Sequence, residues 1–118
     1  MAGKRILIVE DEPLIAMMLE DFLETLGHVV HRCCDSLEEA IETIGGGGFD
    51  LAIVDVNLQG QAVWPAAVLL RDQSIPFMLA TGGHVDDPPA EFKATPMLGK
   101  PYTIGSVEKA LAALTADA

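Results

Sequence analysis

The sequence predicts an α/β protein in which a parallel sheet carries helices on both faces. Short apolar runs with the composition of buried strands recur along the chain, and stretches with apolar residues at helical spacing separate them. Glycine, proline and capping residues mark the boundaries between these stretches. When strands and crossover helices alternate in this way, neighbouring strands run parallel and their carboxyl ends meet at one edge of the sheet.

Five segments of the chain have the composition of strands. The second is the least apolar, which indicates a position at one edge of the sheet. The predicted architecture is therefore a doubly wound, five-stranded parallel sheet within a single domain that spans residues 1–118. The predicted strands cover residues 5–10, 28–34, 50–55, 76–81 and 97–100.

The first two predicted helices are bounded by residues whose chemistry suits helix ends. Pro13 falls in the first turn of one helix, where its missing N–H has no cost, and Gly27 ends that helix in the left-handed conformation. Ser36 and Glu39 match a capping box at the start of the second helix.

The remaining helical segments are less regular. A loop is predicted over residues 56–61, and a third helix over residues 63–72. A last helix is predicted over 104–115, with Thr103 as its cap. Its predicted inward face consists of Ile104, Val107, Leu111 and Leu114. Between residues 82 and 95, glycines and paired prolines interrupt any periodic pattern, so the fourth helix is predicted to be short or mobile.

The composition excludes some classes of function. The chain has 18 acidic and 7 basic residues, a net charge of −11, and no stripe of basic residues that could follow a phosphate backbone. Direct nucleic-acid binding is therefore not expected. No apolar run approaches the roughly 18 residues that a membrane span requires, and the N-terminus lacks the pattern of a secretory signal. We expect a cytoplasmic protein without a membrane partner.

The two cysteines, Cys33 and Cys34, are adjacent in the second predicted strand, where neighbouring side chains point to opposite faces. A disulfide between them is not expected. His28 and His31 lie nearby in the sequence, so a soft-metal site remains an alternative to ordinary positions on that strand.

Polar side chains follow four of the predicted strands. Glu10 and Asp11 follow the first, Asp55 ends the third, Thr81 ends the fourth and Lys100 ends the fifth. Because parallel strands bring their carboxyl ends to one edge, three carboxylates, a hydroxyl and an ammonium group are expected to converge there. Carboxylates held a few ångströms apart repel by about 4 kcal/mol per pair at an effective dielectric of about 20, a cost that a cation offsets.

The chemistry of this edge suits a divalent cation and a phosphoryl group. Oxygen ligands with room for water favour Mg²⁺ over softer metals. Asp55 is then both a candidate ligand and a candidate nucleophile, because carboxylates form aspartyl-phosphates. Mg²⁺ and Lys100 would neutralise charge on a transferring phosphoryl group, and the Thr81 hydroxyl could donate to one of its oxygens.

The order and spacing of these residues resemble the receiver domain of two-component response regulators. The resemblance covers essentially the whole chain and rests on Ile6–Glu12, Asp50–Leu58, Thr81 and Lys100-Pro101. It implies a (βα)5, flavodoxin-like fold in which Asp55 accepts a phosphoryl group from a histidine kinase or phosphotransfer protein in a phosphorelay. Such a domain assists its own phosphotransfer and dephosphorylation but is not expected to be an enzyme. Its downstream protein partner is not identified by the sequence.

The resemblance also implies a role for each site residue. Lys100 would contact the phosphoryl group, Thr81 would sense it, and the Lys100–Pro101 peptide bond would be cis. The implied ligands of Mg²⁺ are the main-chain carbonyl of Asn57 and the carboxylates of Glu10, Asp11 and Asp55.

The switch departs from the usual receiver pattern. Met97 stands where receivers usually carry an aromatic ring that moves on activation, so the usual coupling of that ring to Thr81 cannot operate. Residues 76–84 resemble instead a subfamily with a Phe-Ala-Thr-Gly-type strand end, which also lacks the aromatic switch and consists mostly of stand-alone proteins. That resemblance implies that phosphorylation orders residues 82–96 and thereby changes partner binding.

Two other functions remain open. A pseudo-receiver would have the same fold but act as an interaction module that is never phosphorylated. A phosphohydrolase would use Asp55 as its nucleophile, but many such enzymes carry a second Asp two residues later, where this chain has Asn57. Turnover of external phosphate esters would indicate the hydrolase. Mg²⁺ binding that disappears in Asp55→Asn, together with acquired phosphate, would indicate the receiver.

Overall fold

The computed structural model describes residues 3–81, 89–92, 94–99 and 102–115. In chain order, its strands are β1 (Arg5–Val9), β2 (Val29–Cys34), β3 (Leu51–Asp55), β4 (Asn57–Leu58), β5 (Gln61–Ala62), β6 (Phe77–Thr81) and β7 (Met97–Gly99). Its helices are α1 (Pro13–Thr25), α2 (Leu37–Gly46), α3 (Trp64–Asp72) and α4 (Ile104–Thr115).

Five of the strands form one parallel sheet in the order β2-β1-β3-β6-β7. This arrangement confirms the predicted fold class, and it confirms that the second strand lies at an edge. The order also places β1, β3 and β6 next to one another in the middle of the sheet. The short strands β4 and β5 pair antiparallel outside it, within a stretch that the sequence predicted as a loop.

Apolar layers cover both faces of the sheet, because successive side chains of a strand point to opposite faces. Leu7 and Leu79 pack on one face with residues of α2 and α3. Ile8 and Met78 pack on the other face with residues of α1 and α4. The middle strands are therefore buried on both sides, which explains their continuous apolar sequences. Among the described residues, no helix is long and apolar enough to cross a membrane.

The predicted ends of α1 and the start of α2 are confirmed. Pro13 is the first residue of α1, and Gly27 follows its end with φ 91°. The Ser36 hydroxyl accepts a hydrogen bond from the Glu39 N–H at 3.1 Å. The Glu39 carboxylate accepts from the Asp35 N–H at 3.2 Å, one residue before the capping-box position. This bond, together with the nearby guanidinium of Arg32, holds the pKa of Glu39 below its usual range.

Helix α4 has the predicted cap but not the whole predicted inward face. The Thr103 Oγ1 accepts from the Ser106 N–H, and the Thr103 N–H donates to the Ser106 hydroxyl, each at 3.0 Å. Val107 and Leu111 are buried as expected, whereas Ile104 is 39% exposed. Side chains of a helix lean towards its N-terminus, so that of the first residue extends beyond the helix end.

A single 3₁₀ turn, Ala90–Phe92, stands in the described part of the region where the sequence predicted a short or mobile fourth helix. Phe92 is only 2% exposed. Its ring stacks on Trp64 at 5.6 Å between centroids and meets Phe77 edge-on at 6.0 Å. The Arg71 guanidinium lies 5.8 Å from the centroid of the Phe92 ring. The turn is therefore packed against α3 and β6, while residues 82–88 lie outside the described residues and their predicted mobility stays a prediction.

Candidate functional site

The carboxyl ends of β1, β3 and β6 lie side by side at one edge of the sheet. Strands β1 and β3 are in register, so Glu10, which follows β1, and Asp55, which ends β3, reach this edge together. Asp55 pairs in turn with Ala80, and Thr81 ends β6 one residue later. The topology thus brings three of the predicted site residues to neighbouring positions.

Three carboxylates form a cluster at this edge. Oxygens of Glu10, Asp11 and Asp55 all lie within 4.8 Å of one another. Glu10 is 3% exposed and Asp55 is 6% exposed, whereas Asp11 is only partly buried. At that separation each pair of charges repels by about 3.5 kcal/mol at an effective dielectric of about 20. An oxygen-only set of converging carboxylates fits a hard divalent cation, and the predicted Mg²⁺ ligands therefore suit that ion chemically.

Backbone N–H groups hold two of these carboxylates in place. The Glu10 side chain accepts a hydrogen bond from the Glu12 N–H at 3.1 Å. The Asp11 side chain accepts one from the Gln59 N–H at 2.8 Å. No motif or spacing in the sequence singles out Gln59. The following Gly60 signals a turn, but nothing in the sequence indicates that the turn reaches Asp11.

Tyr102 is a second residue near the site that no sequence motif indicates. It is only 4% exposed and belongs to the apolar layer that contains α1 and α4. Burial and the negative charges of Glu10, Asp55 and Glu12, in that order, raise the pKa of its phenol above the usual range. The hydroxyl therefore stays protonated and uncharged beside the carboxylates.

Of the other predicted site residues, three lie within the described structure and two lie outside it. Asn57 begins β4 shortly after the end of β3. Thr81 is half-buried at the end of β6. Met97 is 46% exposed at the start of β7, so this position carries no buried switch side chain. Lys100 and Pro101 lie outside the described residues, and their predicted phosphoryl contact and cis peptide bond stay predictions.

The histidines and cysteines near β2 occupy structural positions. The Nδ1 atom of His28 accepts a hydrogen bond from the Lys4 N–H at 3.0 Å, and the Cys34 thiol lies 3.4 Å from the Thr43 hydroxyl. Burial is the largest of the effects that raise the pKa of Cys33 to about 12. Across the described ranges, only one group of three or more histidine, cysteine, aspartate or glutamate side chains is placed to hold a metal, and it is the acidic cluster of Glu10, Asp11 and Asp55. The soft-metal alternative therefore receives no support.

Comparison with known proteins identifies similar chains. The transcriptional regulatory protein TcrA of Mycobacterium tuberculosis is 33% identical over 119 residues, which cover 97% of this chain but 47% of TcrA. The chain thus spans about half the length of the curated relatives that it matches.

Solved structures resemble the chain over nearly its whole length. The solution structure of SdrG from Sphingomonas melonis Fr1 is 50% identical, with a TM-score of 0.87, covering 97% of this chain and 98% of that one. The BeF3-activated conformation of SdrG, reported from Pseudomonas melonis Fr1, gives a TM-score of 0.81 at 50% identity, covering 93% and 94% of the two chains. Residues 6–112 match the family described as "Response regulator receiver domain". With this match and the acidic cluster at the sheet edge, the chain belongs to the response regulator receiver domain family.

Proposed function

We propose that this chain accepts a phosphoryl group on Asp55 from a histidine kinase or phosphotransfer protein, in a Mg²⁺-dependent phosphorelay in the cytoplasm. The observation that carries the proposal is the buried Asp55 carboxylate, whose oxygen lies within 4.8 Å of oxygens of both Glu10 and Asp11. A structural protein gains nothing from three such carboxylates, because their repulsion opposes folding. A site that binds a cation and a phosphoryl group accounts for the presence of these carboxylates.

In the proposed step, an oxygen of the Asp55 carboxylate attacks the phosphorus of a donor phosphohistidine. The new O–P bond forms as the P–N bond breaks, and the electron pair of that bond returns to the imidazole nitrogen. Glu10 and Asp11 would hold Mg²⁺ together with Asp55 and the main-chain carbonyl of Asn57. When bound, this ion supplies positive charge to the phosphoryl oxygens.

Other residues of the chain would stabilise the product. The Thr81 hydroxyl would donate a hydrogen bond to a phosphoryl oxygen, and the Lys100 ammonium group would pair with another. Tyr102 lies near the carboxylates as a neutral side chain and adds no further negative charge. These roles make the chain a phosphoacceptor that assists its own phosphotransfer and dephosphorylation, rather than an enzyme with an external substrate.

Phosphorylation would act on partners through residues 82–96, which we propose become ordered in response. Phe92 is already packed between α3 and β6. The Leu79 N–H also donates to the Pro96 carbonyl at 2.9 Å. Phe92 and Pro96, two described residues of this segment, therefore already have partners before any phosphorylation. A downstream protein would recognise the changed surface.

The phosphoacceptor role is tested by intact-mass measurement after incubation with acetyl phosphate, with and without Mg²⁺. The wild type should gain one phosphoryl group only when Mg²⁺ is present, and Asp55→Asn should gain none. Asp21→Asn is a matched control, because it removes one exposed carboxylate from α1, away from the cluster. A folded wild type that gains no label, with rapid hydrolysis excluded, would indicate the pseudo-receiver instead.

The proposed response is tested by hydrogen exchange of residues 82–96 with and without phosphorylation. Protection should rise in the phosphorylated wild type and rise much less in Thr81→Ala, which should still accept phosphate on Asp55. Unchanged exchange in the phosphorylated wild type would refute the ordering of this segment.

A further inference from the structure

Gln59 connects three loops at the carboxyl edge of the sheet. Its backbone N–H donates to the Asp11 Oδ2 at 2.8 Å, in the loop between β1 and α1. Its side-chain Nε2 donates to the backbone carbonyl of Asp35 at 3.1 Å, in the loop between β2 and α2. Gln59 itself lies in the turn between β4 and β5. A single residue therefore ties the phosphoacceptor loop, which is the stretch between Asp55 and the start of α3, to a candidate metal ligand and to the loop between β2 and α2.

The turn that carries Gln59 is held in an uncommon backbone conformation. Gln59 has φ 51° and Gly60 has φ 85°, so both central residues of the turn are left-handed. Positive φ at both positions is what a tight two-residue hairpin requires, but glutamine adopts it less readily than glycine or asparagine. Leu58, which is fully buried, and the bond from the Val63 N–H to the Val56 carbonyl at 3.0 Å anchor the base of the hairpin.

Asp11 is the cluster carboxylate that most needs such support. Packing already restricts Glu10 and Asp55, which are 3% and 6% exposed, whereas Asp11 is only partly buried. A hydrogen bond to its Oδ2 restricts the rotation of the carboxylate and so fixes where its other oxygen points. The position of that bond depends on the position of the hairpin tip, because the tip carries the Gln59 N–H that donates it. The hydrogen bond from the Gln59 side chain to the Asp35 carbonyl holds the tip in place.

We propose that Gln59 is a positioning residue for Mg²⁺ binding: its backbone N–H orients Asp11, and its side-chain amide holds that N–H in place through the Asp35 carbonyl. The inference rests on the proposed metal role of the acidic cluster. Gln59 offers no ligand to the ion in this scheme. It lowers the cost of ordering Asp11, because the carboxylate is oriented before the ion arrives.

The test separates the side chain of Gln59 from its backbone. Gln59→Leu keeps the backbone N–H and a side chain of similar size but removes the amide donor. Gln59→Gly also keeps the N–H and relieves the left-handed strain, but it removes the anchor entirely. Gln61→Leu is the matched control, because Gln61 is an exposed glutamine in strand β5 of the same hairpin.

Two quantities are measured for each variant: the Mg²⁺ dissociation constant by titration calorimetry, and the rate of phosphorylation by acetyl phosphate at saturating Mg²⁺. Both Gln59 variants should bind Mg²⁺ about three- to tenfold more weakly, the effect of losing one hydrogen bond. Their rates at saturating Mg²⁺ should stay within about twofold of wild type, because the ligands are all retained. Gln61→Leu should match wild type in both measurements.

Each contrary outcome has a distinct meaning. Equal Mg²⁺ affinity of wild type and Gln59→Leu overturns this inference alone, and so does wild-type affinity in Gln59→Gly. A wild type that binds Mg²⁺ but never gains a phosphoryl group overturns the proposed function. The positioning role of Gln59 is then decided by the Mg²⁺ affinities of the wild type and the Gln59 variants alone. A wild type that does not bind Mg²⁺ overturns both.

Discussion

Replacing Asp55 by Asn should make the metal-free protein more stable. The substitution keeps the size of the side chain but removes one of three carboxylates whose oxygens lie within 4.8 Å of one another. It thereby relieves two repulsive pairs, each about 3.5 kcal/mol at an effective dielectric of about 20. Water around the partly exposed Asp11, salt, and the loss of the other polar interactions of Asp55 reduce this figure. We expect a net gain of about 1–2 kcal/mol, or about 4–8 °C in Tm for a domain of this size.

The same substitution should cost stability when Mg²⁺ is present. A ligand at 100 times its dissociation constant stabilises the folded state by about 2.7 kcal/mol, and Asp55→Asn should lose most of that gain. Thermal melts followed by circular dichroism, once in chelator and once in Mg²⁺, therefore give opposite orders of Tm for the two proteins. Asp21→Asn controls for the change in net charge from −11, and it should melt like wild type in both buffers.

Two results would refute this reasoning. If Asp55→Asn melts at or below the wild-type temperature in chelator, the three carboxylates do not oppose folding. If Mg²⁺ raises the Tm of both proteins equally, Asp55 does not help to bind the ion. An equal rise in Asp21→Asn without metal would instead assign the effect to overall charge.

Three further predictions concern the atypical switch position, a buried aromatic residue and a cysteine of β2. Met97→Ala should leave phosphorylation of Asp55 intact and change the free energy of unfolding by less than about 1 kcal/mol, since Met97 is 46% exposed. Loss of phosphoryl labelling in the mass assay would contradict this prediction. Phe92→Ala should lower the free energy of unfolding in urea by about 3–5 kcal/mol, because it empties a buried aromatic site; a loss below about 1 kcal/mol would show that the turn is not docked. The raised pKa of Cys33, about 12 against 9.0, should lower its thiolate fraction at pH 8 about a thousandfold, so iodoacetamide should label it slowly until the protein is unfolded. The neutral thiol favours the fold below pH 9, and that contribution should be lost as pH rises from about 9 towards 12.

The strands and the acidic cluster could be predicted because their signals are local. An apolar run that ends in Glu10 or Asp55 identifies both a buried strand and a polar group at its end. Parallel pairing then follows from the alternation of strands and helices, and it brings the ends together without knowledge of any side-chain contact. The positions of Thr81 and Met97 followed from the same pattern.

The features that sequence reasoning missed depend on contacts between distant segments. Gln59 matters because a hairpin tip reaches Asp11, 48 residues earlier. A glutamine–glycine pair is a weak hairpin signal beside asparagine–glycine, so neither the turn nor its reach was visible. Tyr102 reads as an ordinary core residue until the carboxylates beside it are known. The inward placement of Ile104 was wrong because periodicity does not show where a helix extends past its neighbours.

The stack of Trp64 on Phe92 has a practical consequence. Trp64 is the only tryptophan in the chain, so its emission reports a single place. It opens α3 directly after the hairpin of Gln59, and it touches the turn that follows the segment beyond Thr81. An optical signal from one native fluorophore therefore senses the phosphoacceptor loop from one side and the responding segment from the other. Stopped-flow fluorescence of the unlabelled protein could time the change in the phosphoacceptor loop and the ordering of the responding segment, and show which comes first.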